Sequence, residues 1–212
     1  MKKYIFRLIA ILLLPFLIRP KNVIELYAPF HDRGYFLAAA IMPEPNKSEL
    51  FEISWPSWLI RDIAKSYNFN FSKGFENRQS SLQFILAALY DHEKRKSPPE
   101  EMAYVLSMAQ RSINEGANIN NVAAPGLSAL HEAVLFNSVN AVKFLISNGA
   151  DCNIKVSRPG KPIDGMAALE MTEYLSTKSN ENRSEILAYL RSQQCNNHKQ
   201  RDCQASACQP QL

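Results

Sequence analysis

Glycine is scarce in this chain, at 7 of 212 residues. That disfavours folds built on many tight glycine turns, because glycine is the residue that enters left-handed backbone without strain. The short motifs of the common chemistries are also missing. There is no Gly-x-Ser-x-Gly elbow, no His-Glu-x-x-His pair, no Walker-type loop and no dinucleotide fingerprint. Acidic residues are absent from the first 21 positions, which hold Lys2, Lys3, Arg7, Arg19 and Lys21. Without those five, the 19 remaining basic residues face 20 acidic ones, so the overall charge of +4 describes the N-terminus and not the body. A nearly neutral body excludes nucleic acid as the main partner, since phosphate binding needs a basic face. What is present is 46% hydrophobic and 21% charged residues, the balance of a chain that folds.

No hydrophobic run is long. The apolar stretch from Leu8 to Ile18 holds 11 residues, which as a helix reaches about 16 Å against a bilayer core of roughly 30 Å. A Met-Lys-Lys start ahead of such a run reads as a targeting segment over residues 1–20. No small-x-small cleavage site follows closely and no cysteine lies near, which favours an uncleaved signal anchor. A cleaved signal peptide and a buried core helix are the alternatives. The charge bias, together with the bacterial look of the start, points the N-terminus to the cytoplasm and the body to the periplasm, with the protein at the inner membrane.

Cysteine is rare too: Cys152, Cys195, Cys203 and Cys208. Three of the four lie in a polar tail over residues 193–212, which suits an oxidising compartment. The expectation is a disulfide among Cys195, Cys203 and Cys208. The spacing Cys195-x2-His198-x4-Cys203-x4-Cys208 also offers four zinc ligands, but the glycines and aromatics that support so small a site are missing, so no metal is expected. Free thiols are the third reading.

Along the body, residues 21–79 show no repeat. They contain a proline-rich turn at Pro43 and Pro45 and an aromatic stretch with Trp55, Trp58, Tyr67, Phe69 and Phe71, read as a helical cap that packs a core, or else as an aromatic partner-binding patch. From residue 81 helical periodicity takes over: Leu82, Ile85, Leu86 and Leu89 share one face, then Met102, Val105, Leu106 and Ala109 another. Lys94 to Pro99 breaks the two apart. His31-Asp32 and His92-Glu93 read as solvated surface pairs.

The informative feature is a repeat. Gly116-Ala117-Asn118-Ile119-Asn120 returns 33 residues later as Gly149-Ala150-Asp151-Cys152-Asn153. Between them stand Gly126-Leu127-Ser128-Ala129-Leu130-His131-Glu132-Ala133 and Ala141-Val142-Lys143-Phe144-Leu145-Ile146. Leu130 with Ala133, and Val142 with Leu145, lie three apart on single helix faces. Gly149 is placed to end a helix in left-handed backbone, and Asp151 with Asn153 to turn the chain outward. This segment resembles the ankyrin-repeat family, with Ser128-Ala129 where that family has Thr-Pro and Asn137-Ser138 where it has Gly-His. The resemblance implies a structural, unit-linking role for His131.

A degenerate third unit follows. Gly165 to Leu169 echoes Gly126 to Leu130 at an offset of 39, and Glu185 to Leu190 echoes the second helix, with Leu190 lying 45 beyond Leu145. About six residues are inserted near Ser157–Gly160 and six more near Ser179–Asn182. Glu170 takes the histidine position, and no Gly-Ala-Asp ending follows. The expected fold is therefore all-α: an ankyrin-repeat helical solenoid of about three units over residues 80–192, with a helical N-terminal cap.

The resemblance implies a binding scaffold and no enzyme, with no cofactor and no small-molecule substrate. By position in such a stack, the candidate partner contacts are Asn121, Lys155, Arg158 and Lys161 on loop tips, with Glu132, Phe136, Glu173 and Tyr174 on first helices. The basic insertion beside Glu132 and Glu173 points to a mixed-charge protein partner. The chain is similar to small bacterial ankyrin proteins that act as immunity proteins against toxic effectors, such as a type VI secretion lipase. The rival reading is an adaptor or chaperone that assembles or stabilises an envelope enzyme.

Overall fold

The computed structural model describes residues 37, 40–41, 61–62, 64–65, 69, 71, 80–123, 126–193 and 195. The chain divides into two compact parts, Met1–Asn70 and Phe71–Leu212. In the first, Leu37, Ala40, Ile41 and Ala64 are helical and buried, and Phe69 is buried. The proposed targeting segment, Trp55, Trp58, Tyr67 and the His31-Asp32 pair lie outside the described residues. Among the described residues, no helix is long and apolar enough to cross a membrane.

The second part is a stack of helical hairpins. α1 (Ser81–Lys94) and α2 (Pro99–Asn114) form the first, α3 (Ala129–Leu135) and α4 (Val139–Ser147) the second, α5 (Ala168–Lys178) and α6 (Ser184–Ser192) the third. Each hairpin packs its two helices together. The first helices pack in a row, α1 on α3 and α3 on α5, and α6 packs on α4. The apolar faces predicted from spacing fill the core: Leu82, Ile85, Leu86 and Leu89 from α1, Val105 and Ala109 from α2, Leu130 and Ala133 from α3, Val142 and Leu145 from α4. Burying one such aliphatic side chain is worth about 1.5–3 kcal/mol. The completely buried Ala133 lets α3 lie close to its neighbours.

Local chemistry sets the helix ends. Pro99 opens α2, with Glu100 and Glu101 in its first turn, where a missing N–H costs nothing and negative charge suits the helix dipole. Gly116 and Gly149 both take positive φ just after α2 and α4. Asn118 Oδ1 accepts from Asn120 N–H and Asp151 Oδ1 from Asn153 N–H, each at 2.9 Å, so the two copies of the repeated motif make the same turn. Asn120 Oδ1 then accepts from Asp151 N–H at 2.9 Å, tying one copy to the next.

Two expectations need correction. His92 is fully buried on α1 and is no solvated surface residue. Its neighbour Glu93 reaches α4 instead, accepting from Asn140 Nδ2 at 2.8 Å. Cys195 pairs with Cys152, across a Cα–Cα distance of 5.6 Å, and not within the tail. The cause is tertiary: α6 carries Cys195 back against the turn that starts the third unit, so the bond closes that whole unit into a ring. Cys203 and Cys208 lie outside the described residues.

Candidate protein-binding face

The third residue of each first helix accepts from the backbone N–H that precedes the helix, and on α1 and α3 its side chain also faces the next unit. In α3, the Ser128 N–H points at His131 Nδ1 at 3.2 Å. A backbone N–H can only donate, so Nδ1 is unprotonated and the ring proton is on Nε2. That nitrogen lies among the carbonyls of Ile154 and Met166 in the next unit, closing no full hydrogen bond with either. Burial lowers the pKa of the ring, against a smaller opposing pull from those two carbonyls. His131 is thus a neutral structural ring, as the resemblance implied.

The same arrangement exists on α1, where sequence spacing hid it. Gln83 Oε1 accepts from Ser80 N–H at 3.3 Å, and its Nε2 donates across to Leu127 O at 3.0 Å. The first unit lacks the histidine motif at an offset of 33 because its helices are long. Gln83 stands 48 residues before His131. On α5, Glu170 Oε2 accepts from Ala167 N–H at 2.9 Å, so the glutamate does the histidine's capping work. No unit follows the third within the described residues, and Glu170 is exposed.

Two hairpin fingers project before α3 and α5. In the first, Ala123 N–H donates to Leu127 O at 3.1 Å. In the second, Val156 N–H donates to Met166 O and Gly165 N–H to Val156 O, each at 2.9 Å. The six-residue insertion is ordered: Asp164 Oδ1 accepts from Arg158 N–H at 2.7 Å, and Lys161 N–H donates to Arg158 O at 3.0 Å. The fingers join where Ser157 N–H donates to Gly126 O at 2.9 Å.

On this frame the candidate contacts separate. Asn121, Lys155 and Lys161 are exposed on the fingers, and Arg158 is half-buried. Glu132 is buried and not an exposed acidic contact: α3 turns it toward α1, beside Gln83 and Tyr90. Desolvation there pushes its carboxyl up to about 7, against a smaller opposite pull from the Gln83 amide. Phe136 is 57% exposed, with one ring face stacked on Tyr90 at 4.7 Å between centroids. Glu173 is exposed but pairs at 2.9 Å with Arg191 of α6. Tyr174 is half-buried, with Lys178 Nζ 5.8 Å from its ring centre. The fingers therefore present cations, and the acid expected beside them is withdrawn into the stack or occupied.

Sequence reasoning missed Arg183 entirely. It is 4% exposed and donates to the carbonyls of Val134 and Leu135 at the end of α3. Its signal was present only as an arginine at the end of an insertion. Among the described residues, no group of acidic, histidine and cysteine side chains could hold a metal ion.

The ankyrin repeat family model matches residues 126–156, the span from the first finger through α4 to the second. No curated protein matches the chain. With its paired helices, helix-capping third residues and finger hairpins, the fold is the all-α ankyrin solenoid that the sequence resemblance implied, and the matched repeat suggests a protein–protein interaction module.

Proposed function

We propose that this protein is a non-catalytic ankyrin module held at the bacterial inner membrane with its body in the periplasm, and that it is an immunity protein. It neutralises a toxic secreted effector by binding over it and blocking its working surface. The observation that carries the binding reading is the ordered second finger. Lys155, Arg158 and Lys161 make no ion pair among the described residues, while Asp164 is spent on the Arg158 backbone. Three such cations on an internally hydrogen-bonded hairpin favour an acidic patch on the partner and speed its encounter. The Cys152–Cys195 disulfide supports an oxidising address, since such bonds are rare where glutathione keeps thiols reduced. The basic, apolar residues 1–20 supply the tether in this reading.

The test is an affinity capture of the tagged full chain from its native envelope, followed by toxicity assays on what is captured. A stoichiometric secreted hydrolase that kills cells lacking this protein supports the immunity reading. Capture of a resident envelope enzyme that loses activity when this protein is deleted replaces it with the adaptor reading. With the captured partner in hand, the double reversal R158E/K161E is expected to weaken the complex at least tenfold. Unchanged affinity removes the finger from the interface.

A further inference from the structure

We propose that the Cys152–Cys195 disulfide is a redox latch on α6. Oxidation fastens the helix into the third unit, and reduction by a dithiol releases it while the rest of the stack stays folded. Three parts of the unit meet at this bond. Cys152 sits in the turn that leads into the second finger. Its carbonyl accepts from the N–H of Ala168, the first residue of α5, at 3.3 Å. Its sulfur is bonded to Cys195, just past the end of α6.

The two ends of α6 carry most of its attachment. Of its nine residues, only Ile186 and Leu190 are buried, a thin apolar face for the backbone they must order. Arg183 fixes the N-terminal end through the carbonyls of Val134 and Leu135. Cys195 fixes the other end. The pairs Lys143–Glu185 and Glu173–Arg191 also involve α6, but both are exposed and solvent screens them. Among the described residues no helix follows α6, and a repeat draws its stability from its neighbours. Without the bond, α6 is therefore the first part of the stack to open.

The bond is approachable from one side. Cys195 is 3% exposed, whereas Cys152 is half-buried in a turn flanked by the exposed Asp151 and Lys155. A thiolate of the dithiol attacks Cys152 Sγ. The Cys152–Cys195 bond breaks, and its electron pair leaves on Cys195 Sγ, which takes up a proton. The second sulfur of the dithiol, losing its own proton, attacks the first, and Cys152 leaves as a thiolate that is protonated in turn. Two electrons and two protons have passed to the cysteine pair, and the dithiol has become a disulfide. Opening the latch also frees the root of the second finger, since Lys155 stands three residues past Cys152. An effect on partner binding is the one consequence that rests on the proposed function.

The test needs no partner. The full chain in detergent micelles is treated with dithiothreitol without denaturant, and amide exchange is read by mass spectrometry. In a parallel sample the free thiols are alkylated and mapped. Cys152 and Cys195 are expected to become alkylated. Amides of α6 are expected to exchange at least a hundredfold faster, with those of α1, α2 and α3 changing less than threefold. C195S should show the same pattern with no reductant. A bond that resists dithiothreitol until urea is added overturns the latch. So does full reduction with α6 protection unchanged, or with protection lost evenly through all the helices. If C195S fails to fold, the native chain alone decides.

Discussion

Arg183 donates to the Val134 carbonyl across 49 residues of sequence. Val134 is the penultimate residue of α3, whose last carbonyls have no partner within their own helix. The same guanidinium reaches Leu135 O at 3.2 Å and Glu181 at 2.5 Å. One side chain from the α5–α6 loop thus caps a helix in the preceding unit, with its positive charge at the negative end of that helix. Burial works against the Arg183 charge, and Glu181 beside it works for it. Asn137, in left-handed backbone just past α3, adds a bond from its Nδ2 to Asn182 O at 3.2 Å. The second insertion, which reads from sequence as a mere enlargement of a loop, is a clamp.

Removing the clamp is expected to be costly. R183A leaves Leu135 O without its guanidinium donor and Val134 O with the Asn137 N–H alone, and is expected to lose about 1–3 kcal/mol in urea unfolding. E181Q is expected to lose under about 1 kcal/mol, because Glu181 is exposed and its pair is solvent-screened. Equal losses in the two variants would place the stability in the ion pair and not in the cap.

Reducing the disulfide opens a ring spanning 43 residues. Loop-closure entropy for that length amounts to about 4 kcal/mol. C152S and C195S are each expected to show most of this loss by urea unfolding, and the double variant no more than either single one. A peptide map of the native chain should join the Cys152 and Cys195 peptides. A map that joins Cys195 to Cys203 or Cys208 would contradict the observed pairing.

Two glycines separate conformational strain from collision. Gly126 has φ +75°, and a Cβ there would stand 1.8 Å from Ser157 O. Gly149 has φ +88° with nothing within 4 Å. G149A is expected to cost about 1–2 kcal/mol from backbone strain alone. G126A adds a backbone collision that only a parting of the two fingers relieves, so it should cost clearly more in thermal unfolding. It should also weaken partner binding, which G149A should not.

His131 and Glu132 are adjacent, and their shifts oppose one another in their effect on stability. The folded histidine has a lowered pKa, so its contribution is full above about 6.5 and is lost as pH falls below that value. The folded glutamate is raised from 4.5 to about 7, so its contribution is full below 4.5 and is lost as pH rises through about 7. Just below pH 6.5, where both groups titrate, the two slopes oppose. E132Q removes the falling slope, so its stability should climb more steeply with pH over this range than that of the native chain. A parallel profile in urea unfolding at stepped pH would mean that Glu132 titrates as an ordinary surface acid.

Local and periodic information was legible in the sequence. The 33-residue spacing of two Gly-Ala-Asx motifs, the three-residue spacing of Leu130 with Ala133, and Gly149 after α4 each encode one helix or one turn, and short-range geometry suffices to form them. The helical pairs and their core faces followed. What the sequence could not disclose is which distant groups meet. Gln83 does the work of a histidine because its unit is longer than the repeat. Cys195 finds Cys152 because α6 returns to the start of its own unit. Glu132 leaves the surface because α1 packs over it, and Arg183 is a cap because α3 ends beside it. Periodicity fixes the face a residue occupies on its own helix. Only packing decides what stands opposite that face, and from it come burial, pairing and charge.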